Sequence, residues 1–166
     1  DKLLSLLRAS QAKVLIAHGV DDDSPMRAKA LRLQAQLPHL HTVLWVHPDG
    51  ERLPEPLPPG TQDFHALRAA QVADRLESCR VFSAQDIAAY FHTGGTTGAP
   101  KLAQHTAGNE AHTAWFAHAF YGADHQSVEI NGFPLFHVAG AFVYGLSMLA
   151  IGARQVLPTL TGMRNT

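Results

Sequence analysis

His92-Thr93-Gly94-Gly95-Thr96-Thr97-Gly98-Ala99-Pro100-Lys101 is the stretch on which the reading of the whole chain turns. Its glycines, Gly94, Gly95 and Gly98, let the backbone adopt positive φ and approach a ligand closely. Thr93, Thr96 and Thr97 add hydroxyl donors, and successive backbone N–H groups in such a loop can form an anion-binding concavity. Lys101 supplies a full positive charge, held at a set distance by the stiff residue Pro100. Polyphosphate is the ligand that suits this chemistry best. The plain alternative is a solvent-exposed turn, because glycine and threonine cluster in loops for structural reasons alone. Two familiar phosphate loops are excluded: no Gly-Lys-Ser/Thr follows, and no Gly-x-Gly-x-x-Gly spacing occurs.

Working outward, Ile87-Ala88-Ala89-Tyr90-Phe91 reads as a strand leading directly into this loop, the context in which α/β folds place ligands. Leu102-Ala103-Gln104-His105 is expected to run back along it as a hairpin, with Thr106 or Asn109 starting a helix to about Tyr121. Upstream, Leu3, Leu4, Leu6 and Leu7 share one face of a helix. Val14-Leu15-Ile16-Ala17 and Thr42-Val43-Leu44-Trp45-Val46 are apolar runs of strand length. Between them Ser24 offers a helix cap and Pro25 a first helical residue, for a helix to about Gln36 with Ala28, Leu31 and Ala35 on a common side. Strand, capped helix, strand predicts a βαβ unit with parallel strands. The fold class expected is α/β, a parallel-rich sheet flanked by helices.

Pro54, Pro56, Pro58 and Pro59 make residues 53–60 a connector without regular structure. From Asp63 to Glu77 the apolar spacing predicts one helix or two short ones. Ser127 to Ile130 is a short strand, Val138 to Ile151 a deeply buried helix, and Gln155-Val156-Leu157 a last strand.

With 13 basic and 14 acidic residues in 166, nothing points to a nucleic-acid face or a polybasic membrane anchor. Hydrophobic residues at 46% and charged residues at 16% describe a globular chain. No apolar run reaches the length of a membrane span, and the start does not read as a secretory signal. The single Cys79 excludes an internal disulfide and fits a reducing compartment. A cytoplasmic location is the expectation.

A second segment gives the loop a more specific meaning. Phe133-Pro134-Leu135-Phe136-His137-Val138-Ala139-Gly140 follows downstream. Together the two resemble signature segments of the adenylate-forming superfamily of acyl-CoA synthetases, peptide-synthetase adenylation domains and luciferases. That family's loop reads roughly Thr-Ser-Gly-Thr-Thr-Gly-x-Pro-Lys. Thr93, Gly95, Thr96, Thr97, Gly98, Pro100 and Lys101 match it, while Gly94 stands where serine is usual. The later segment is similar to the family's Pro-Leu-Phe-His-x-x-Gly, and Gln104-His105 with Asn109 sit where many acyl-CoA ligases carry Thr-His-x-Asn.

The resemblance implies ATP-dependent activation of a carboxylic acid to an acyl-adenylate and then to acyl-CoA, with ATP, Mg2+ and coenzyme A taking part. By the same resemblance Thr93, Gly94, Gly95, Thr96, Thr97 and Gly98 would hold the β- and γ-phosphates and Lys101 would offset their charge. His137 would lie near the substrate carboxylate, with its role as acid or base left open. Phe142 and Tyr144 are candidates for lining an apolar acyl pocket. Residues 1–166 would then form part of the large N-terminal domain, without the C-terminal domain and its catalytic lysine, and would be inactive alone. The Thr-His-x-Asn-like segment favours an acid–CoA ligase acting on fatty or other apolar acids. A peptide-synthetase adenylation domain, a non-catalytic nucleotide-binding module and an unrelated phosphotransferase remain alternatives.

Other residues invite chemistry less strongly. His39, His41, His112, His118 and His125 lack the helical i, i+4 pairing and cysteine partners of a zinc site, so no metal is expected. Cys79 reads as a buried or loop thiol rather than a nucleophile. Trp115, Phe116 and Phe120 read as core residues of their helix.

Overall fold

Apolar runs punctuated by helices build the first half of the chain, and a glycine-rich hairpin opens the second. The computed structural model describes residues 2–19, 25–48, 51–93 and 101–158. These fall into two compact units, one ending at Arg80 and one starting at Val81.

The first unit runs α1 (Lys2–Ser10), β1 (Val14–His18), α2 (Pro25–Gln36), β2 (Thr42–Val46), β3 (Thr61–Asp63) and α3 (Phe64–Ala69). Its sheet has the order β1-β2-β3 with both pairings parallel, so the expected βαβ unit is present. The central strand carries the core: Val43 and Trp45 are fully buried and pack with Ala30 of α2 and with Leu53 from the proline-rich connector. A second cluster joins Leu7, Leu33, Leu37 and Leu40. The predicted cap Ser24 lies outside the described residues.

Two expectations for this unit are corrected, and one strand is added. The buried stripe of α2 is Arg27-Ala30-Leu33, while Ala28 and Ala35 are exposed and Leu31 is half-buried. Leu33 is the bulkier side chain to bury, and the Arg27 guanidinium lies over the Trp45 ring at 5.6 Å from its centroid, which lets a charged residue count as inward-facing through its aliphatic stem. Next, β3 had no sequence signal, because three mostly polar residues become a strand only by pairing with β2. Finally, the helix expected to reach Glu77 ends at Ala69, and residues 70–86 contain no helix or strand. Residues 71–80 are all exposed, and a helix with no buried face has little to hold it.

What starts α3 is Asp63, whose carboxylate accepts the backbone N–H groups of His65 at 2.7 Å and Ala66 at 3.1 Å. Burial raises the Asp63 carboxyl, but those bonds and His47 outweigh it and hold it below its usual range.

The second unit comprises β4 (Ile87–Thr93), β5 (Lys101–Thr106), α4 (Ala107–Tyr121), β6 (Val128–Ile130), a π-helix (Ala139–Leu146), α5 (Ser147–Ala150) and β7 (Arg154–Val156). β4 and β5 pair antiparallel as the expected hairpin, and β6 and β7 pair parallel. The segment expected as one deeply buried helix is helical, but it is wound as a π-helix before α5. Its burial is confined to Gly140, Gly145, Ser147 and Met148, with Leu149 67% exposed. Among the described residues no helix is long and apolar enough to cross a membrane.

Candidate active site

The register of the hairpin brings the two ends of the glycine-rich segment together. Thr93 pairs with Lys101 across β4 and β5, followed by His92 with Leu102 and Phe91 with Ala103. The Thr93 hydroxyl donates to the Lys101 carbonyl at 3.5 Å. Directly opposed residues of a ladder project to the same face, so the Thr93 and Lys101 side chains share one side of the hairpin and both are exposed. Gly94, Gly95, Thr96, Thr97 and Gly98, with Ala99 and Pro100, lie outside the described residues.

On that same face the hairpin meets the π-helix that begins at the end of the second motif. Phe91 packs edge-on against Phe142 of the π-helix, ring centroids 5.0 Å apart, and His105 lies 5.6 Å from each of these two rings. Within this unit the strand that leads into the first motif therefore packs against the helix that follows the second.

The Thr-His-x-Asn-like segment is divided between the hairpin and the start of a helix. Gln104 is exposed and His105 packs among rings, whereas Asn109 is paired with Thr106. The Thr106 hydroxyl accepts the Asn109 N–H at 3.1 Å, and the Asn109 side chain accepts the Thr106 N–H at 3.2 Å. This reciprocal pair is a capping box that starts α4, so its first task is structural. Burial lifts the Glu110 carboxyl above its usual range against the opposing charge of His105. Glu110 Oε1 has no hydrogen-bond partner among the described residues.

Trp115, Phe116 and Phe120, expected in the core, are 61%, 53% and 70% exposed. The inner side of α4 is instead marked by Ala114, which is buried, and by Glu110 and His118, each with a buried polar atom. Phe116 stacks on Phe120 at 5.6 Å along the outer side.

The second motif is a tight turn closed on a helix. His137 N–H donates to the Pro134 carbonyl at 3.0 Å, and its own carbonyl accepts the Ala141 N–H at 3.0 Å. The Ala139 N–H donates to His137 Nδ1 at 3.1 Å. With Nδ1 accepting, the ring proton of the neutral imidazole is on Nε2, which is left available to an outside acceptor. His137 and its neighbours Leu135 and Phe136 are exposed, and Phe133 stacks on Tyr144 at 4.8 Å.

Gly140, the last residue of the motif, has no room for a side chain. A Cβ there would stand 2.4 Å from the Pro134 carbonyl oxygen and 2.8 Å from that of Phe133. Both are backbone atoms and cannot swing away. Gly140→Ala is expected to destabilise the second unit by about 1–3 kcal/mol, the usual cost of overpacking, read as a lowered midpoint in thermal unfolding. Of the buried residues around the motif, sequence reasoning missed Asn131, 1% exposed, which carries no motif signal of its own.

Among the described residues, no group of three or more His, Cys, Asp or Glu side chains is placed to hold a metal ion.

Marinolic acid–CoA ligase of Pseudoalteromonas sp. (strain SANK 73390) is 27% identical in an alignment 168 residues long, gaps included, that covers 98% of this chain and 24% of that protein. ATP-bound MatB from Rhodopseudomonas palustris superposes with a TM-score of 0.69 at 20% identity, over 98% of this chain and 28% of that one. A long-chain-fatty-acid-CoA ligase (FadD1) from Archaeoglobus fulgidus does so with a TM-score of 0.70 at 23% identity, over 93% and 27%. These two structural likenesses establish the fold, and the chain spans about a quarter of the length of all three relatives. The model of the AMP-binding enzyme family matches residues 1–165. The chain belongs to the AMP-binding enzyme family.

Proposed function

We propose that this chain supplies the phosphate loop and part of the acyl site of an ATP-dependent acid–CoA ligase acting on a fatty or other apolar carboxylic acid. The observation that supports this reading is that Thr93 stands beside Lys101 across the hairpin, while Phe91, on the strand into the first motif, packs against Phe142, two residues past the second. The activity is that of a polypeptide spanning the full length of such relatives; the 166 residues alone are expected to turn over little or nothing.

In the first step a carboxylate oxygen attacks the α-phosphorus of ATP, and the bond to the bridging oxygen breaks, releasing pyrophosphate. Two anions meet, so offsetting charge is the main task. Thr93, Gly94, Gly95, Thr96, Thr97 and Gly98 provide hydroxyl and backbone donors to the β- and γ-phosphates, and the Lys101 ammonium neutralises part of their charge. His137 offers its Nε2–H to an oxygen of the substrate carboxylate or the adenylate. In the second step the sulfur of coenzyme A attacks the acyl carbon and AMP leaves. The ring-lined region about Phe142 and Tyr144 gives an apolar acid surface to lie against. Magnesium, if bound together with ATP, would supply further positive charge against the phosphates. A cytoplasmic setting, where ATP and coenzyme A are both present, accords with this chemistry.

The test is pyrophosphate release from ATP, measured with a panel of carboxylic acids on the full-length polypeptide, with hydroxylamine trapping of the adenylate. Apolar acids are expected to stimulate release and to yield a CoA thioester. Absence of any acid-dependent release overturns the reading. Release with amino acids and no use of coenzyme A replaces it with a peptide-synthetase adenylation domain.

A further inference from the structure

Asn131, immediately after β6, ties three separate segments together from a position almost closed to solvent. Its backbone N–H donates to the Val156 carbonyl at 2.9 Å, at the end of β7. Its side-chain Nδ2 donates to the Gly140 carbonyl at 2.8 Å, in the π-helix. Its Oδ1 accepts the Phe133 N–H at 3.2 Å, at the start of the second motif. A buried amide that uses both ends in this way is demanding of geometry, because either end left unmatched carries a desolvation cost.

The bonds continue toward the exposed histidine. Gly140 is held by Asn131; the preceding residue, Ala139, donates its N–H to His137 Nδ1. Pro134 and Ala141 fix the two ends of the His137 backbone. Resting on the ligase reading above, we propose that Asn131 is a positioning residue for His137: it sets the direction of the imidazole through Gly140 and Ala139 without itself meeting the reactants.

Two substitutions separate the parts of this arrangement. Asn131→Asp keeps the acceptor for Phe133 but turns an oxygen toward the Gly140 carbonyl. Ionised, that oxygen repels the carbonyl; protonated, it donates to it again. Burial favours the protonated form as pH falls. Asn131→Ala removes both side-chain bonds, introduces no charge, and keeps the test usable if the aspartate variant does not fold.

The first measurement is the ring 1H–15N NMR spectrum of 15N-histidine-labelled protein, with the His137 signals assigned through His137→Gln. The unsubstituted protein is expected to show His137 as a single Nε2–H tautomer, and both variants to show it averaging between tautomers. An unchanged His137 spectrum in both variants overturns the proposal.

The second measurement is acid-dependent pyrophosphate release by the full-length polypeptide. Misdirecting one group in a reacting site is expected to lower kcat by about 10- to 100-fold, with KM for ATP nearly unchanged because the phosphate loop is left intact. The deficit of Asn131→Asp should narrow as pH falls, whereas that of Asn131→Ala should follow the unsubstituted profile. Identical pH profiles for the two variants overturn the proposal, since a residue needed only for folding would give them. If the unsubstituted polypeptide releases no pyrophosphate, the ligase reading fails and the NMR result alone decides the role of Asn131.

Discussion

Trp45→Ala is expected to lower the stability of the first unit by about 3–5 kcal/mol, the range for removing a large buried aromatic side chain. Trp45 is fully buried on the central strand and packs with Ala30, Val43 and Leu53. Gly19 is shaped around it, since a Cβ at that position would stand 2.4 Å from Trp45 Cε3. The Arg27 guanidinium rests over its ring, so truncation leaves both a cavity and a cation without its aromatic cover. Against a total stability of about 5–15 kcal/mol for an ordinary domain, that loss should empty much of the folded population. Far-ultraviolet circular dichroism during urea unfolding would read it as a transition shifted to lower denaturant. Trp45→Phe should recover most of the loss. The indole Nε1–H has no hydrogen-bond partner among the described residues, so phenylalanine gives up packing area but no hydrogen bond. An alanine variant that unfolds at the unsubstituted midpoint would mean that Trp45 does not hold this core together.

Lys101→Ala, in the full-length polypeptide, is expected to lower kcat/KM for ATP by about 10- to 150-fold, from the 1.5–3 kcal/mol of a hydrogen bond to a charged group. The KM for the acid should change little, because Lys101 is argued to meet phosphate and not carboxylate. Lys101→Arg should restore part of the activity: the charge survives, but a planar guanidinium does not occupy the place of a compact ammonium. Steady-state kinetics with ATP varied at saturating acid would measure both. An unchanged dependence on ATP would remove Lys101 from the phosphate site and weaken the ligase reading with it.

Much of the fold was legible because its signals are local. Val14 to Ala17 and Thr42 to Val46 are apolar runs followed closely by a chain breaker, Gly19 and Pro48, and both are strands. The strand into the glycine-rich loop, the return hairpin and the helix from Thr106 followed from the order of residues alone. β3 was not legible, since Thr61-Gln62-Asp63 gains its strand geometry from hydrogen bonds to β2. Nor was the outward position of Trp115, Phe116 and Phe120: aromatic residues ordinarily predict burial, and here the inner face of α4 is marked by Ala114, Glu110 and His118.

The candidate site divides in the same way. Lys101, Thr93 and His137 were nameable because each sits inside a recognisable run of residues. The surroundings of each were not, because they depend on cross-strand register, on the ring contact between Phe91 and Phe142, and on Asn131 reaching Gly140.

What the sequence determined by itself was the kind of chemistry and the family resemblance: which donors and which charge are available, and on which local element each is carried. Only the tertiary structure decided which stripe of α2 is buried, where the π-helix begins, and which imidazole nitrogen of His137 faces outward. The physical reason is that backbone propensity, chain breakers and capping act over a few neighbouring residues. Burial and hydrogen-bond partnership are settled among segments far apart in the chain, as in the bond from Asn131 to Val156.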